Sequence, residues 1–307
     1  MLENKELFPE VELFGKIIKL KGFYCPTEER DICKFDCKDK AQVGLYINVN
    51  NICNADCKFC NIHNLQSANL LFDLAKFERI FKELIEKDVL NRVAITGGEP
   101  FLNFEFVNQI LDIIYKYTDC LIVTINTNAT QIDKIKELKH LDKILGVNIS
   151  RHHYDDALND EIFSCKTATK EELKKISKFV PNNILRLKCN LVKGYIDNIE
   201  EMKKYLEFAS DIGAYTVGFV TLREENEFCI NNKVEIRDFG KDKDILHISS
   251  NFDRDYCQCN NYVYRSKDMK FIEIFDRYIK KKNEDYCFQL VYNNNELLTG
   301  FGKEKII

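Results

Sequence analysis

Between residues 44 and 222, short apolar runs rich in β-branched residues alternate with longer amphipathic stretches. This alternation predicts repeated β/α units, in which helical crossovers join parallel strands. We predict six strands at GLYINV (44–49), RVAIT (92–96), CLIVTIN (120–126), KILGVNIS (143–150), ILRLKCNLV (184–192) and AYTVGFVTL (214–222). We predict the intervening helices near 77–85, 103–117, 131–139, 169–178 and 197–212.

Right-handed crossovers between these units make either an open doubly wound sheet or a full or partial barrel. In each of these folds, ligands bind at the carboxyl ends of the strands, so site residues should follow strands along the chain. The flanks differ in composition. We divide the chain into an N-terminal extension (1–43), the β/α region (44–222) and a C-terminal region (223–307) with weak helix signals and a closing hairpin at 288–301.

The chain has 307 residues and no run of the roughly 20 apolar residues that a membrane-spanning helix needs. Its N-terminus lacks the basic and apolar segments of a secretory signal, so we expect a cytoplasmic protein with no membrane partner. A net charge of -4 and a pI near 5.9 argue against a nucleic-acid partner. In a reducing compartment, the 13 cysteines should be catalytic, metal-bound or buried, not paired in disulfides.

The segment CNADCKFC follows the first predicted strand and carries Cys53, Cys57 and Cys60. Three thiolates this close together can bind a soft metal centre, and fewer than four leave a coordination position open. Two alternatives remain on spacing alone: a zinc site completed by His63 or a distant cysteine, and three unrelated buried thiols.

The motifs at the next strand ends resemble those of the radical S-adenosylmethionine (radical SAM) superfamily. An aromatic residue, Phe59, precedes the last cysteine; the second strand ends in TGGEP, and the third ends in INTNAT, where Ala129 replaces the glycine of the family's TNG segment. The stretch LKCNLVKGYIDNIEEMKKYLEFASDIGA is similar to the molybdenum-cofactor cyclase branch and to twitch-SPASM-like relatives. The resemblance covers residues 44–222 and implies a partial (β/α)6 TIM-like barrel in the α/β class.

By this resemblance, Cys53, Cys57 and Cys60 would bind a 4Fe-4S cluster whose fourth iron takes the amino and carboxylate groups of S-adenosylmethionine (SAM). An electron donor such as flavodoxin or ferredoxin would allow cleavage to methionine and a 5′-deoxyadenosyl radical, which abstracts hydrogen from substrate. The residues matching family SAM contacts are Phe59, Gly97, Gly98, Glu99, Thr127, Asn128, Ser150, Lys188 and Asn190. Core packing for Phe59, a turn for GGE and solvent exposure for the strand-end residues are the alternatives.

A dense group of ionisable residues follows the fourth strand in the loop RHHYDD. Its position at the predicted catalytic edge makes it a candidate for substrate contact or proton transfer, to which histidine is suited near neutral pH. The alternative is a solvated loop whose aspartates cap a helix. The candidate residues are Arg151, His152, His153, Tyr154 and Asp155.

The remaining cysteines raise the question of a second metal centre. A candidate auxiliary iron–sulfur cluster would use Cys229, Cys257, Cys259 and Cys287, and the N-terminal Cys25, Cys33 and Cys37 could contribute. Buried thiols and a structural zinc are the alternatives. For Cys120, Cys165 and Cys189, within the β/α region, we predict packing roles.

The sequence therefore predicts an enzyme that cleaves SAM and acts on a peptide, as in ribosomal peptide maturation, or on a small metabolite. The alternative within the superfamily is a nucleotide substrate, as for a cyclase or a viperin-like dehydratase. The alternative from another class is a noncatalytic iron–sulfur or zinc protein. The GGEP and INTN segments argue against the last, because an electron carrier needs no nucleoside pocket.

Overall fold

The computed structural model describes residues 10–20, 42–60, 72–181, 184–235, 242–253, 257–268, 270–279, 287, 289–300 and 304–307. The chain forms two compact units. Unit 1 comprises Met1–Asn51, Ala68–Thr124 and Asn283–Ile307, and unit 2 comprises Ile52–Ser67 and Ile125–Lys282. Both units contain residues of the 44–222 segment. The division into 1–43, 44–222 and 223–307 stays a prediction.

Unit 1 combines a hairpin with a mainly parallel set of strands. The hairpin pairs β1 (Glu10–Leu13) with β2 (Lys16–Lys19). The other strands are β3 (Val43–Asn48), β4 (Leu90–Thr96), β12 (Gln289–Asn293) and β13 (Glu296–Leu298), in the order β13-β12-β3-β4. Strand β3 is parallel to both neighbours, whereas β13 is antiparallel to β12. The helices are α1 (Leu74–Glu86) and α2 (Phe104–Tyr117), the second preceded by a 3-10 helix at Pro100–Asn103.

The packing of α1 follows directly from its sequence. Asp73 caps its N-terminus by accepting hydrogen bonds from Ala75 N and Lys76 N. The sequence predicts one buried face from Phe77, Ile80, Phe81, Leu84 and Ile85; the first four are buried and Ile85 is half-buried.

The predicted closing hairpin is also present, as β12 and β13. Its turn places Asn294 and Asn295 at φ 49° and 60°, the left-handed values that two-residue hairpin turns require and that asparagine tolerates.

Unit 2 contains parallel strands followed by an antiparallel extension. The strands are β6 (Gly146–Ser150), β7 (Leu185–Leu191), β8 (Thr216–Thr221), β9 (Ile245–Asp253), β10 (Cys257–Arg265) and β11 (Phe271–Ile279), in the order β6-β7-β8-β11-β10-β9. Strands β6, β7, β8 and β11 are parallel, and β9, β10 and β11 pair antiparallel. The helices are α3 (Asp156–Phe163), α4 (Lys170–Ser177), α5 (Ile199–Ile212) and α6 (Glu227–Asn232), with a 3-10 helix at Ile132–Glu137. Strand β5 (Ile122–Thr127) contains the point at which the units divide.

The six strands predicted within 44–222 are confirmed as β3 to β8, and the α/β class and partial-barrel assignment are confirmed with them. The helix predicted at 131–139 is a short 3-10 helix, and α3 was not predicted. The weak signals beyond residue 223 predicted helices, but residues of β9 to β11 form strands instead. There a two-residue alternation, with Tyr262, Tyr264, Ile272 and Ile274 buried, makes strands. Within the described ranges, no helix combines the length and apolarity needed to cross a membrane.

Candidate functional site

The cysteine-bearing loop of unit 2 folds around a small apolar cluster. The cluster consists of Ala55, Cys57 and Phe163, with Cys53, Phe59, Cys60 and Cys165 packed against it. Two backbone hydrogen bonds of 2.9 Å shape the loop, from Asp56 N to Phe163 O and from Cys60 N to Cys57 O. The structure thus brings together the three predicted cluster ligands and adds Cys165, for which the sequence predicted only packing.

The environment of these thiols suits a cationic metal centre. Burial raises the pKa of the Cys57 thiol well above its usual range, and the nearby Cys60, Cys53 and Cys165 thiols raise it further. Thiolates crowded in this way repel one another, and a soft cationic core would offset the repulsion. Among the described residues, no three or more His, Cys, Asp or Glu side chains converge in a ready metal-binding arrangement. The fit to an iron–sulfur cluster therefore rests on thiol chemistry and proximity.

A hydrogen-bond network ties the cysteine loop to the segment that follows β5. Asn128 Nδ2 donates to Asn54 Oδ1 at 2.9 Å and to Cys53 Sγ at 3.8 Å. Asn54 Nδ2 in turn donates to Thr130 Oγ1 at 2.8 Å, and Thr130 N donates to Asn128 Oδ1 at 3.0 Å. The sequence indicated Asn128 but missed Asn54 and Thr130, since nothing in their spacing signals a contact across more than 70 residues.

The same segment explains the departure from the TNG pattern. Ala129 has φ 62°, a left-handed conformation that glycine adopts without strain. Its N–H donates to Thr127 Oγ1 at 3.1 Å, and both residues are buried. The backbone conformation expected for glycine is therefore kept, with alanine in its place.

His152 is a buried neutral residue that holds Phe59 in position. Its ring stacks on Phe163 at 4.9 Å and meets the Phe59 ring edge-on, also at 4.9 Å. Its Nδ1 accepts a hydrogen bond of 3.0 Å from Asn190 N. Burial lowers the pKa of His152 to about 3, so the imidazole stays neutral at physiological pH. The buried, hydrogen-bonded imidazole argues against proton transfer by His152, a role that stays a prediction.

Arg151 is bound within the protein and does not present its charge to a ligand. Its side chain is almost fully buried. Its Nε donates to His153 O at 3.0 Å and its Nη1 to Ala168 O at 2.7 Å, while Nη2 pairs with Asp156. The substrate contact predicted for Arg151 is therefore replaced by a structural role, in which the guanidinium satisfies buried carbonyl groups.

Asp155 caps helix α3, as the alternative interpretation of this loop had it. Its carboxylate accepts hydrogen bonds from Ala157 N at 2.9 Å and Leu158 N at 3.0 Å. His153 Nδ1 accepts from Asp155 N at 2.9 Å, and burial lowers the pKa of His153 despite the nearby Asp155 and Glu201 carboxylates. Tyr154 OH donates to Glu201 Oε2 at 2.7 Å. Substrate contact by His153 and Tyr154 stays a prediction.

Strand β7 presents its polar residues on one face, as its alternation predicts. Leu187 and Cys189 are buried, whereas Lys188 is exposed and Asn190 is half-buried. Ser150 of β6 pairs with Lys188 across the sheet. The packing role predicted for Cys189 is consistent with its thiol, which donates to His152 O at 3.7 Å.

In unit 1, the GGE segment forms a tight cradle against the asparagines that follow β3. Gly97 has φ 153°, and a Cβ there would lie 2.6 Å from Asn50 O and 2.9 Å from Asn48 Oδ1. Gly98 N donates to Asn50 O at 2.7 Å. Only glycine fits at position 97, both for its backbone angle and for this close approach.

Two acceptors in this cradle are unsatisfied. Asn48 Oδ1 and Asn50 Oδ1 are buried and have no hydrogen-bond partner among the described residues. Glu99 is also buried; its Oε1 accepts from Phe101 N at 3.0 Å and its carbonyl from Asn50 Nδ2 at 3.0 Å. Buried acceptors of this kind fit the donors of an ammonium group, which a bound SAM would supply. The run NVNN before Cys53 was the available sequence signal for these asparagines.

A sequence profile described as the radical SAM superfamily matches residues 47–209, more than half of the chain. This chain belongs to the radical SAM superfamily. Because members of the superfamily are enzymes, the chain is a radical SAM enzyme, and its motifs at the strand ends are those of a SAM-binding fold.

Similar proteins differ in what their names say they act on. A probable GTP 3′,8-cyclase of Methanocaldococcus jannaschii is 25% identical over 251 residues, which cover 80% of this chain and 78% of that protein. A probable dual-specificity RNA methyltransferase RlmN of Clostridium botulinum is 31% identical over 166 residues, covering 50% of this chain and 47% of the relative.

Among solved structures, SuiB of Streptococcus suis bound to S-adenosylmethionine has a TM-score of 0.50 at 18% identity, covering 64% of this chain and 44% of SuiB. The similarity to SuiB is one of fold. This chain spans less than half the length of SuiB and of the RNA methyltransferase.

Two described thiols outside the triplet of this radical SAM enzyme donate hydrogen bonds to backbone carbonyls. The buried Cys229 Sγ donates to Phe59 O at 3.7 Å, and the buried Cys287 Sγ donates to Gln289 O at 3.0 Å. These contacts favour the buried-thiol alternative for both. Cys120 is exposed, so its predicted packing role was wrong. The residues Cys25, Cys33, Cys37 and His63, and the side chains of Cys257 and Cys259, lie outside the described part.

Proposed function

We propose that this radical SAM enzyme reductively cleaves SAM and uses the product radical to abstract hydrogen from a small-molecule substrate. Cys53, Cys57 and Cys60 would hold a 4Fe-4S cluster, which supplies the electron that converts SAM into methionine and a 5′-deoxyadenosyl radical. The observation that carries the proposal is the network from Asn128 to Cys53, because it joins the cysteine loop to the segment after β5 in which we propose SAM contacts. A flavodoxin or ferredoxin is the proposed electron donor.

The protein's own residues position the reactants. In unit 2, Asn128 orients Cys53, and His152 and Phe163 hold the ring of Phe59 as an apolar surface for adenine. Unit 1 by itself offers two buried acceptors, Asn48 Oδ1 and Asn50 Oδ1, that suit an ammonium group. Burial of Ala55, Cys57 and Phe163 limits access of water to the apolar side of the cysteine loop.

A nucleotide is the substrate class that the relatives support best. The similarity to the GTP cyclase covers 80% of this chain, and therefore extends beyond the 47–209 segment that the superfamily shares. SuiB, which has also been solved bound to its precursor peptide SuiA, is similar to this chain in fold alone. A peptide substrate for this chain is therefore supported only by the sequence. The net charge alone does not decide against a nucleic-acid partner, since one relative is named an RNA methyltransferase.

Iron and sulfide analysis of anaerobically reconstituted protein tests the assignment of the cluster. We expect about four irons per chain, and loss of most of that iron in C53A, C57A and C60A, because each variant removes one of three ligands. The matched control C120A removes an exposed thiol and should keep the full iron content. About eight irons would establish the auxiliary cluster, and zinc in place of iron would contradict the proposal.

Electron paramagnetic resonance gives a second readout of the same site. Addition of SAM to the reduced protein should change the spectrum of the cluster, because SAM would bind the iron that the protein leaves open. An unchanged spectrum at saturating SAM would count against the proposed coordination.

A further inference from the structure

One arginine on the sheet of unit 2 has a buried nitrogen without a hydrogen-bond partner among the described residues. Arg186 lies in β7 and is half-buried, and its Nε is buried without a partner among the described residues. Burial lowers the pKa of Arg186, and the nearby Glu273 and Tyr215 oppose that effect only in part. A buried donor without an acceptor is costly, so a guanidinium kept in this state is a candidate for binding an anion that comes from outside.

The sheet leaves room for this side chain. Arg186 pairs with Asn148 of β6 and with Thr216 of β8. A Cβ at Gly146 would lie only 2.5 Å from the Cδ of Arg186, so any larger residue at 146 would displace the arginine. The strand alternation places Arg186 on the same face as Lys188 and Asn190.

The carboxylate aligned with Arg186 across the sheet, that of Glu273, has a hydrogen-bond partner of its own. Glu273 of β11 pairs with Thr216, so its backbone lies two strand spacings, about 10 Å, from that of Arg186. Its Oε1 accepts a hydrogen bond of 2.7 Å from Tyr215 OH. Glu273 and Tyr215 favour the charged form of Arg186, but their effect on its pKa is smaller than that of burial. The amide of Asn148 is also engaged, donating to Asn126 Oδ1 at 2.9 Å.

We infer that Arg186 binds a phosphate group of the substrate, an inference that rests on the proposed function. A guanidinium can bind phosphate through two parallel hydrogen bonds, which a lysine cannot do. Asn190, whose N–H binds His152, lies four residues further along β7, about 13 Å from Arg186. A substrate with phosphate at Arg186 and its reacting atom towards the His152 end of the strand has the length of a nucleotide.

Thermal unfolding of the full chain without SAM, with inorganic triphosphate as the probe, tests this inference. We expect saturating triphosphate, at about 100 times its Kd, to raise the Tm of the wild type by about 5 °C. R186Q should lose this rise, and R186K should keep only part of it. The control K178Q removes one exposed positive charge from the C-terminal end of α4 and should respond like the wild type.

The ligand-free stability of the variant supplies an independent readout. R186Q without triphosphate should be at least as stable as the wild type, because the substitution removes a buried donor that lacks an acceptor. A purely structural arginine would instead lower the Tm when replaced. Triphosphate stabilisation that persists in R186Q, or its absence in the wild type, would overturn the inference.

A second probe separates phosphate from other anions. Succinate at the same ionic strength should not reproduce the rise in Tm, and an equal rise with succinate would overturn the phosphate assignment. Since none of these measurements involves SAM cleavage, they fail or succeed separately from the proposed function.

Discussion

At the residue scale, the segment after β5 shows how a local backbone requirement can survive a change of residue. Ala129 is 2% exposed and adopts a left-handed φ, where the superfamily pattern has glycine. A residue with a Cβ is strained there by about 1–2 kcal/mol, while glycine loses about 0.5–1 kcal/mol more conformational entropy on folding. The two effects oppose each other, and the strain is the larger.

We therefore expect A129G to raise the free energy of unfolding by about 0.5–1 kcal/mol. The matched control is A209G in α5, where glycine should lower it by about 1 kcal/mol because the position is helical. Urea denaturation of both variants measures the difference. Equal destabilisation by A129G and A209G would contradict a left-handed conformation at residue 129.

The buried imidazole of His152 should make stability depend on pH. Its folded-state pKa is about 3 and its ordinary value is 6.5, so between these values the unfolded state binds the proton and the folded state does not. The stability that the neutral His152 contributes to the folded state is complete above pH 6.5. As the pH falls below that value, the free energy of unfolding decreases by about 1.4 kcal/mol per pH unit. H152N keeps an acceptor without titrating in this range. Denaturation at pH 7 and pH 5 should show a smaller loss for H152N than for the wild type, and equal losses would contradict the buried neutral state.

Residue types and their local spacing predicted the residues of the cysteine loop, but they did not predict the long-range contacts or the charge of His152. The triplet and Phe59 were predictable because their spacing is local. The contact from Asn54 to Thr130 spans 76 residues, and no local pattern encodes it. His152 looked like a proton carrier because histidine titrates near neutral pH, but burial, which only the fold determines, decides its charge.

At the scale of elements, helix α3 depends on the carboxylate of Asp155. The sequence offered two roles for this residue, substrate contact and helix capping, and the hydrogen bonds to Ala157 N and Leu158 N show the second. D155A should lower the free energy of unfolding by about 1 kcal/mol, and D155S, which also caps, should retain most of it. Denaturation measures both. Full stability in D155A together with lost turnover would instead support the substrate role.

Helices and strands were predictable where a regular pattern of apolar residues continued over the whole element. Strands β3 to β8 follow apolar runs, and α1 has a continuous buried face. Strands β9 to β11 were missed because their alternating apolar residues, such as Tyr262 and Ile274, are separated by Asn, Asp and Lys, which are unusual in strands. Their pairing in the sheet outweighs this weak local preference.

At the scale of the whole molecule, composition says less about function than the positions of particular residues in the fold do. A net charge of -4 argued against nucleic acid, yet a relative over half of the chain is named an RNA methyltransferase. The count of 13 cysteines, in the reducing compartment that we expect, argued against a disulfide framework but did not identify the functional thiols. Their positions after a strand, beside Asn128 and around Phe163, support the cluster assignment.

The central claim is that this enzyme cleaves SAM reductively, and the products of that reaction test it most directly. Anaerobic, reconstituted and reduced wild-type protein should convert SAM into 5′-deoxyadenosine and methionine in equal amounts, measured by liquid chromatography and mass spectrometry. C57A should form neither above background, whereas C120A should match the wild type. A protein with a complete cluster and bound SAM that formed no 5′-deoxyadenosine with any reductant or nucleotide would contradict the account.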